Sequence, residues 1–133
     1  MTIYLDTSFL MLSAKFHTDV IEKAEKLLGR RVQFAVPAAV VTELRGLAQN
    51  LGVPGRDART ALSLIQEKKI PCISSTRASD ADTALFEASQ LPNAVVATAD
   101  LELRRKIRNA GKPVIFFREK AKLELDGIEA VYW

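Results

Sequence analysis

The sequence holds one cysteine, Cys72, and one histidine, His17. A lone cysteine excludes an intrachain disulfide and any cysteine-clustered zinc site. A lone histidine excludes the histidine acid/base pair that can cleave a phosphodiester without other help. There is no glycine-rich phosphate loop and no G-x-S-x-G elbow, so the chemistries built on those motifs are also out. Apolar runs are short. None approaches the ~18 residues of a membrane span, and Asp6 interrupts the first run before a signal-peptide core can form. These absences lead to the expectation of a soluble, cytoplasmic protein with no membrane partner.

The chain of 133 residues has room for one domain, residues 1–133, and needs no second core. Nineteen Lys and Arg against 16 Asp and Glu give a net charge of +3. The excess is local: Arg104, Arg105, Lys106, Arg108, Lys112, Arg118, Lys120 and Lys122 crowd the last third, so that face is expected to be electropositive.

The stretch Ala94 to Phe117 organises the rest. It opens as an apolar Ala/Val run, reaches Thr98 and Asp100, becomes a basic helix closed by Gly111, and returns to a second apolar run. An apolar run without polar alternation suits a strand covered on both faces, as in parallel sheets flanked by helices. Thr98 and Asp100 then fall just past a strand's carboxyl end, where open α/β sheets place their ligands.

The same pattern appears at the start, where Thr2 to Asp6 reads as a strand ending in a carboxylate. Residues 8–16 read as a helix, and Thr18 and Asp19 open another that stops at Gly29. Val32 to Val36 is a strand, and Pro37 suits the first turn of the following helix. That helix carries an apolar stripe of Val40, Val41, Leu44, Leu47, Ala48 and Leu51, with Glu43 near its edge. Gly52 to Gly55 reads as a loop, Asp57 to Lys69 as a helix and Ile70 to Ile73 as a strand. Ser79 and Asp82 have the spacing of a capping box for a helix reaching about Gln90. Asp126-Gly127 between two apolar segments predicts a small carboxyl-terminal ribbon, Leu123 to Leu125 against Ile128 to Trp133.

Alternating strands and helices predict an α/β, Rossmann-like fold with a parallel sheet of order 3-2-1-4-5. Asp6 and Asp100 then face each other across the crevice where strand order reverses. Each acid also has an ordinary explanation: Asp82 as half of the capping box, Asp100 as a helix N-cap, Glu43 as a surface glutamate. Together, Asp6, Glu43, Asp82 and Asp100 surround one end of the sheet with few cations beside them. Carboxylates gathered without a counter-ion repel, and a hard divalent cation, Mg²⁺ or Mn²⁺, makes the arrangement favourable. Metal-activated water attacking phosphorus is the chemistry left.

These residues resemble the PIN-domain nucleases, a family that includes VapC-type toxins and PIN ribonucleases of ribosomal RNA processing. Leu5-Asp6-Thr7-Ser8 resembles the opening Asp-Thr-Asn/Ser motif and Val41-Thr-Glu43-Leu44 the helical glutamate. Ala81-Asp82-Thr83-Ala84-Leu85 resembles the Ala-Asp-Asp segment, and Ala97-Thr98-Ala99-Asp100-Leu-Glu102-Leu103 the Thr-Asn-Asp segment with its following acid. The match spans about Ile3 to Arg118. It implies Mg²⁺ or Mn²⁺ on Asp6, Glu43, Asp82 and Asp100, with Thr98 and Ser8 orienting water or a carboxylate, and single-stranded RNA as substrate. It also implies an antitoxin or ribosome-assembly partner. Two positions depart from the pattern: Ala99 replaces a polar residue, and Thr83 stands where some relatives have a second aspartate, for which Asp80 is a substitute.

Arg104, Arg105 and Arg108 are candidate phosphate contacts, although basic residues late in a helix also serve its dipole. Phe116, Phe117, Tyr132 and Trp133 are read as core or as an oligomer contact, such as a homodimer would use. Two other readings compete with a metal-dependent endoribonuclease. One is a non-catalytic RNA- or partner-binding PIN domain. The other is a haloacid-dehalogenase-type phosphatase, which requires an acid where Ser8 stands.

Overall fold

The computed structural model describes residues 1–74, 80–119 and 121–127. Its chain order is β1 (Thr2–Leu5), α1 (Thr7–Lys15), α2 (Val20–Leu28), β2 (Gln33–Pro37), α3 (Ala38–Ala48), α4 (Val53–Glu67) and β3 (Cys72–Ile73). Then follow α5 (Ala81–Ser89), β4 (Ala94–Ala97), α6 (Leu101–Asn109), β5 (Val114–Arg118) and β6 (Lys122–Asp126). The sheet runs β3-β2-β1-β4-β5-β6. All neighbours are parallel except β5 and β6.

The expected 3-2-1-4-5 order is therefore present, with one strand more. All four residues of β4 are buried, as its unbroken apolar run requires of a strand covered on both faces. β1 moves to β2 on one side while β4 moves to β5 on the other. Right-handed crossovers put the intervening helices on opposite faces, which opens the crevice at the carboxyl ends of β1 and β4. Ile3, Leu5, Val95, Val96 and Ile115 of the sheet pack with Phe9, Leu10, Leu44, Leu85 and Ile107 of the helices in one buried cluster. Phe117 belongs to this core: its ring stacks on Phe9 at 4.7 Å and meets Phe16 edge-on.

Most helix ends are set by local chemistry. Asp6, Asp19, Asp80 and Asp100 are side-chain N-caps of α1, α2, α5 and α6. Gly29 closes α2 at φ 66°, and Gly111 follows α6 at φ 80°, both in the left-handed region that glycine enters without penalty.

Five local expectations change. Gly52 to Gly55 is not a loop: Gly52 is the N-cap of α4, and Pro54 and Gly55 lie in its first turn, where a missing N–H costs nothing. Pro37 ends β2 and caps α3 instead of entering the helix. The third strand shrinks to Cys72–Ile73: the Ile70 N–H turns back to the Ile65 carbonyl at the end of α4, while the Pro71 carbonyl still accepts the Val36 N–H of β2. Leu51 leaves the apolar stripe and is 95% exposed, since α3 stops at Ala48. Leu123 to Leu125 pairs antiparallel with β5, extending the main sheet; the second arm, Ile128 to Trp133, lies outside the described residues.

Candidate active site

Asp6 leaves the buried end of β1 and is itself only 3% exposed. Its Oδ1 accepts the Thr7 amide at 2.7 Å, and its Oδ2 accepts two hydroxyls, Ser8 Oγ at 2.8 Å and Thr98 Oγ1 at 2.6 Å. A buried carboxylate needs such donors to replace the water it has lost. The same hydroxyls also accept bonds from the chain beyond β4. Ala99 N–H donates to Ser8 Oγ and Asp100 N–H to Thr98 Oγ1, each at 3.0 Å. The two motifs, 92 positions apart, are thus fastened into one hydrogen-bonded unit. Ala99 takes part through its backbone, so its lack of a polar side chain does not break this network.

Asp100 is both an N-cap and a crevice residue. Its Oδ1 accepts the amides of Glu102 at 2.9 Å and Leu103 at 3.3 Å. Asp100 Oδ2 accepts no hydrogen bond from a described residue, so one oxygen serves the helix and the other is available.

Glu43 projects from the second turn of α3 and Asp82 from the first turn of α5, both exposed. Their electrostatics tie them to the crevice. Partial burial and the charges of Asp6 and Asp82 push the Glu43 pKa up, against a lowering pull from the Thr7 hydroxyl. Asp82 is pushed up by partial burial and by Asp6, Asp100, Asp80 and Glu102. Among the described residues none of the four acids forms an ion pair.

The donor set fits a hard divalent cation: carboxylate and hydroxyl oxygens, one-signed charge and perturbed proton affinity. Among the described residues no three acids converge into a ready cage. Asp6 and Asp100 are fixed by hydrogen bonds, whereas Glu43 and Asp82 are exposed side chains with rotamers to spare. Asp80, the expected substitute acid, is engaged at the start of α5. Its two oxygens accept Thr83 N–H at 2.7 Å and Thr83 Oγ1 at 3.1 Å, and these bonds lower its pKa. Asp82 is accordingly a first-turn acid of α5 and not the far half of a capping box, the cap being Asp80.

The arginines of α6 separate. Arg104 pairs with Asp126 at 3.6 Å and lies 3.5 Å over the Phe116 ring. Arg108 pairs with Asp126 at 3.3 Å and donates to the Lys112 carbonyl at 3.0 Å. Both therefore hold β6 and the end of α6 against β5. Arg105 is exposed and has no ion pair to a described residue. The last turn of α6 lies roughly 12 Å along the helix from Asp100, which sets Arg108 apart from the crevice.

Sequence reasoning gave Thr7 no role of its own and left open whether Glu102 contributes to the site. Thr7 was legible only as a helix opener, and Glu102 only as a trailing acid, yet both act on the other carboxylates. Their positions directly after Asp6 and Asp100 were the available signal.

A sheet of this order, with acids at its switch point, is an open α/β fold whose candidate site lies at the carboxyl ends of the strands. The chain belongs to the PIN-like domain family, whose model matches residues 3–120. It is 27% identical over 125 residues to Ribonuclease VapC4 of Methanocaldococcus jannaschii, covering 92% of this chain and 95% of that protein. It is 29% identical over 120 residues to Ribonuclease VapC9 of Archaeoglobus fulgidus, covering 90% and 84%. The fold superimposes on the PIN domain endonuclease Utp24 with a TM-score of 0.79 at 21% identity, covering 94% of this chain and 90% of that one. Among the described residues no helix is long and apolar enough to cross a membrane.

Proposed function

We propose that this protein is a metal-dependent endoribonuclease that hydrolyses single-stranded RNA, with Asp6, Glu43, Asp82 and Asp100 as its metal-binding acids. The observation that carries the reading is the double clamp on Asp6. Ser8 and Thr98 both donate to one of its oxygens, fixing it beside three further acids that lack a described cationic partner. A buried carboxylate held this firmly, in a crevice of like charge, is costly unless a cation uses it.

When bound, Mg²⁺ or Mn²⁺ supplies the positive charge the site lacks, both for activating water and for the leaving oxygen. Asp6 and Asp100 would provide oxygens already fixed by hydrogen bonds, and Glu43 and Asp82 would complete the donor set. Thr98 acts through Asp6, holding its carboxylate in one rotamer while its own oxygen is fixed by the Asp100 amide. RNA as substrate is supported by the similarity to the two VapC ribonucleases. An antitoxin or a ribosome-assembly partner belongs to the same reading. Phosphatase chemistry of the haloacid dehalogenase type is disfavoured, because Ser8 supplies a hydroxyl already bonded to Asp6 where that chemistry needs an acid.

The test is cleavage of a single-stranded RNA oligonucleotide by purified protein with Mg²⁺ or Mn²⁺ and with EDTA. Cleavage that needs the ion and is lost in Asp6→Asn supports the reading. Full cleavage in EDTA, or in the variant, overturns it; RNA binding without cleavage points to the non-catalytic alternative.

A further inference from the structure

Towards the amino ends of β1 and β2 lies a cavity of about 500 Å³, a size that suits a small ligand. Its floor is one face of the sheet. Residues two apart on a strand share a face, so Thr2 and Tyr4 of β1 lie together, and the parallel register sets Gln33 and Ala35 of β2 beside them. Ala35 adds only a methyl, which leaves room next to the half-buried Tyr4. The turn out of α4 forms the wall, where Lys68 and Lys69 are both exposed. Neither lysine forms an ion pair with a described residue, and no described acid lines the cavity.

Phe34, which also lines the cavity, brings a backbone edge. Gln33 N–H donates towards β1, to the Met1 carbonyl, and Val36 N–H donates the other way, to the Pro71 carbonyl. Alternation along the strand puts the Phe34 N–H and C=O on the Val36 side. β3 begins only at Cys72, opposite Val36, and the preceding Pro71 has no N–H to offer. Among the described residues the Phe34 donor and acceptor therefore have no ladder partner.

We propose that this cavity binds a nucleotide, its base against Tyr4 and the Phe34 edge and its phosphate at Lys68 and Lys69. A base presents a flat apolar face and, on its rim, an acceptor next to a donor, which match an aromatic side chain and an open strand edge. The lysines and the absence of a lining acid match the phosphate. The same unit occurs free and within single-stranded RNA, and the experiment distinguishes these sources. Roughly 13 Å of strand separates Thr2 from Asp6, so this site is apart from the acid crevice. It needs no metal and no cleavage step, and it stands or falls independently of the nuclease reading.

Amide NMR spectra of the purified protein in EDTA are titrated with adenosine 5′-monophosphate, with adenosine and with inorganic phosphate. The monophosphate is expected to shift the amides of Phe34, Ala35, Lys69 and Ile70 along a saturable curve. It should bind about 10-fold more tightly than adenosine or phosphate alone, because its two contacts are linked in one molecule. Replacing both exposed lysines, Lys68→Gln with Lys69→Gln, should weaken the monophosphate about 10-fold and leave adenosine unchanged. No saturable shift at Phe34, or shifts confined to Ser8, Ala99 and Asp100, overturns the site. A monophosphate affinity untouched by the lysine changes overturns the placement of the phosphate. Competition by a single-stranded RNA oligonucleotide supports the site with an RNA strand as the source of the nucleotide, and saturable binding without such competition supports it with the free nucleotide as the source.

Discussion

Thr98 Oγ1 donates to Asp6 Oδ2 at 2.6 Å, joining the carboxyl ends of the two central strands, β1 and β4, by a side-chain bond. The hydroxyl is fully buried and at the same time accepts the Asp100 amide at 3.0 Å. One oxygen therefore fixes the first acid of the site and the chain that carries the last.

Replacing Thr98 by Val keeps the shape and removes both bonds. It leaves the Asp100 amide short of an acceptor, so Thr98→Val is expected to lose about 1–3 kcal/mol by chemical denaturation. RNA cleavage should fall at least 10-fold, while Thr98→Ser retains most of both properties. Thr98→Val with parental stability and parental cleavage would show that the bond is incidental.

Asp100 offers a separation of cap from ligand. Asn caps a helix about as well as Asp, so Asp100→Asn should change stability in EDTA little or raise it, since its charge is one that pushes Asp82 up. The same variant should gain much less stability than the parent from excess Mn²⁺, because binding to the folded state is what stabilises. Asp100→Ala should lose about 1 kcal/mol from the cap alone. Equal stabilisation of parent and Asp100→Asn by Mn²⁺ would leave Asp100 as a cap only.

The raised proton affinities of Glu43 and Asp82 fix the sign of a pH effect. A carboxyl whose folded pKa lies above its unfolded value binds more protons folded than unfolded, so metal-free stability falls as pH rises through the window between the two. That window opens near the unfolded values of about 4 and extends upward. In EDTA, Asp82→Asn should therefore melt higher than the parent at pH 7, with the difference shrinking as pH falls through that window toward about 4. A difference independent of pH would remove the carboxylate crowding from the account.

The arginines of α6 should divide by experiment as they do by position. Arg108→Ala, which breaks the Asp126 pair and the bond to the Lys112 carbonyl, is expected to lower stability and loosen β6 with little effect on the salt dependence of RNA binding. Arg105→Ala should leave stability unchanged. If Arg105 neutralises a phosphate, the slope of log affinity against log salt on single-stranded RNA flattens by about 0.7. An unchanged slope would make Arg105 a solvated helix charge.

The sequence by itself determined whatever depends on near neighbours along the chain. The unbroken Ala94 to Ala97 run required a doubly covered strand, and Gly29 and Gly111 required left-handed turns at helix ends. The acids at strand ends followed from the same local reading. Tertiary structure decided the rest because those interactions join distant positions. β6 pairs with β5, and its Asp126 meets Arg104 and Arg108 of α6, contacts that no single segment records. That Thr98 and Ser8 share one oxygen of Asp6 depends on β1 and β4 lying side by side with Leu5 opposite Ala97. A slip of one residue in that register would turn each side chain to the other face of the sheet, and no feature confined to either segment records which register is formed.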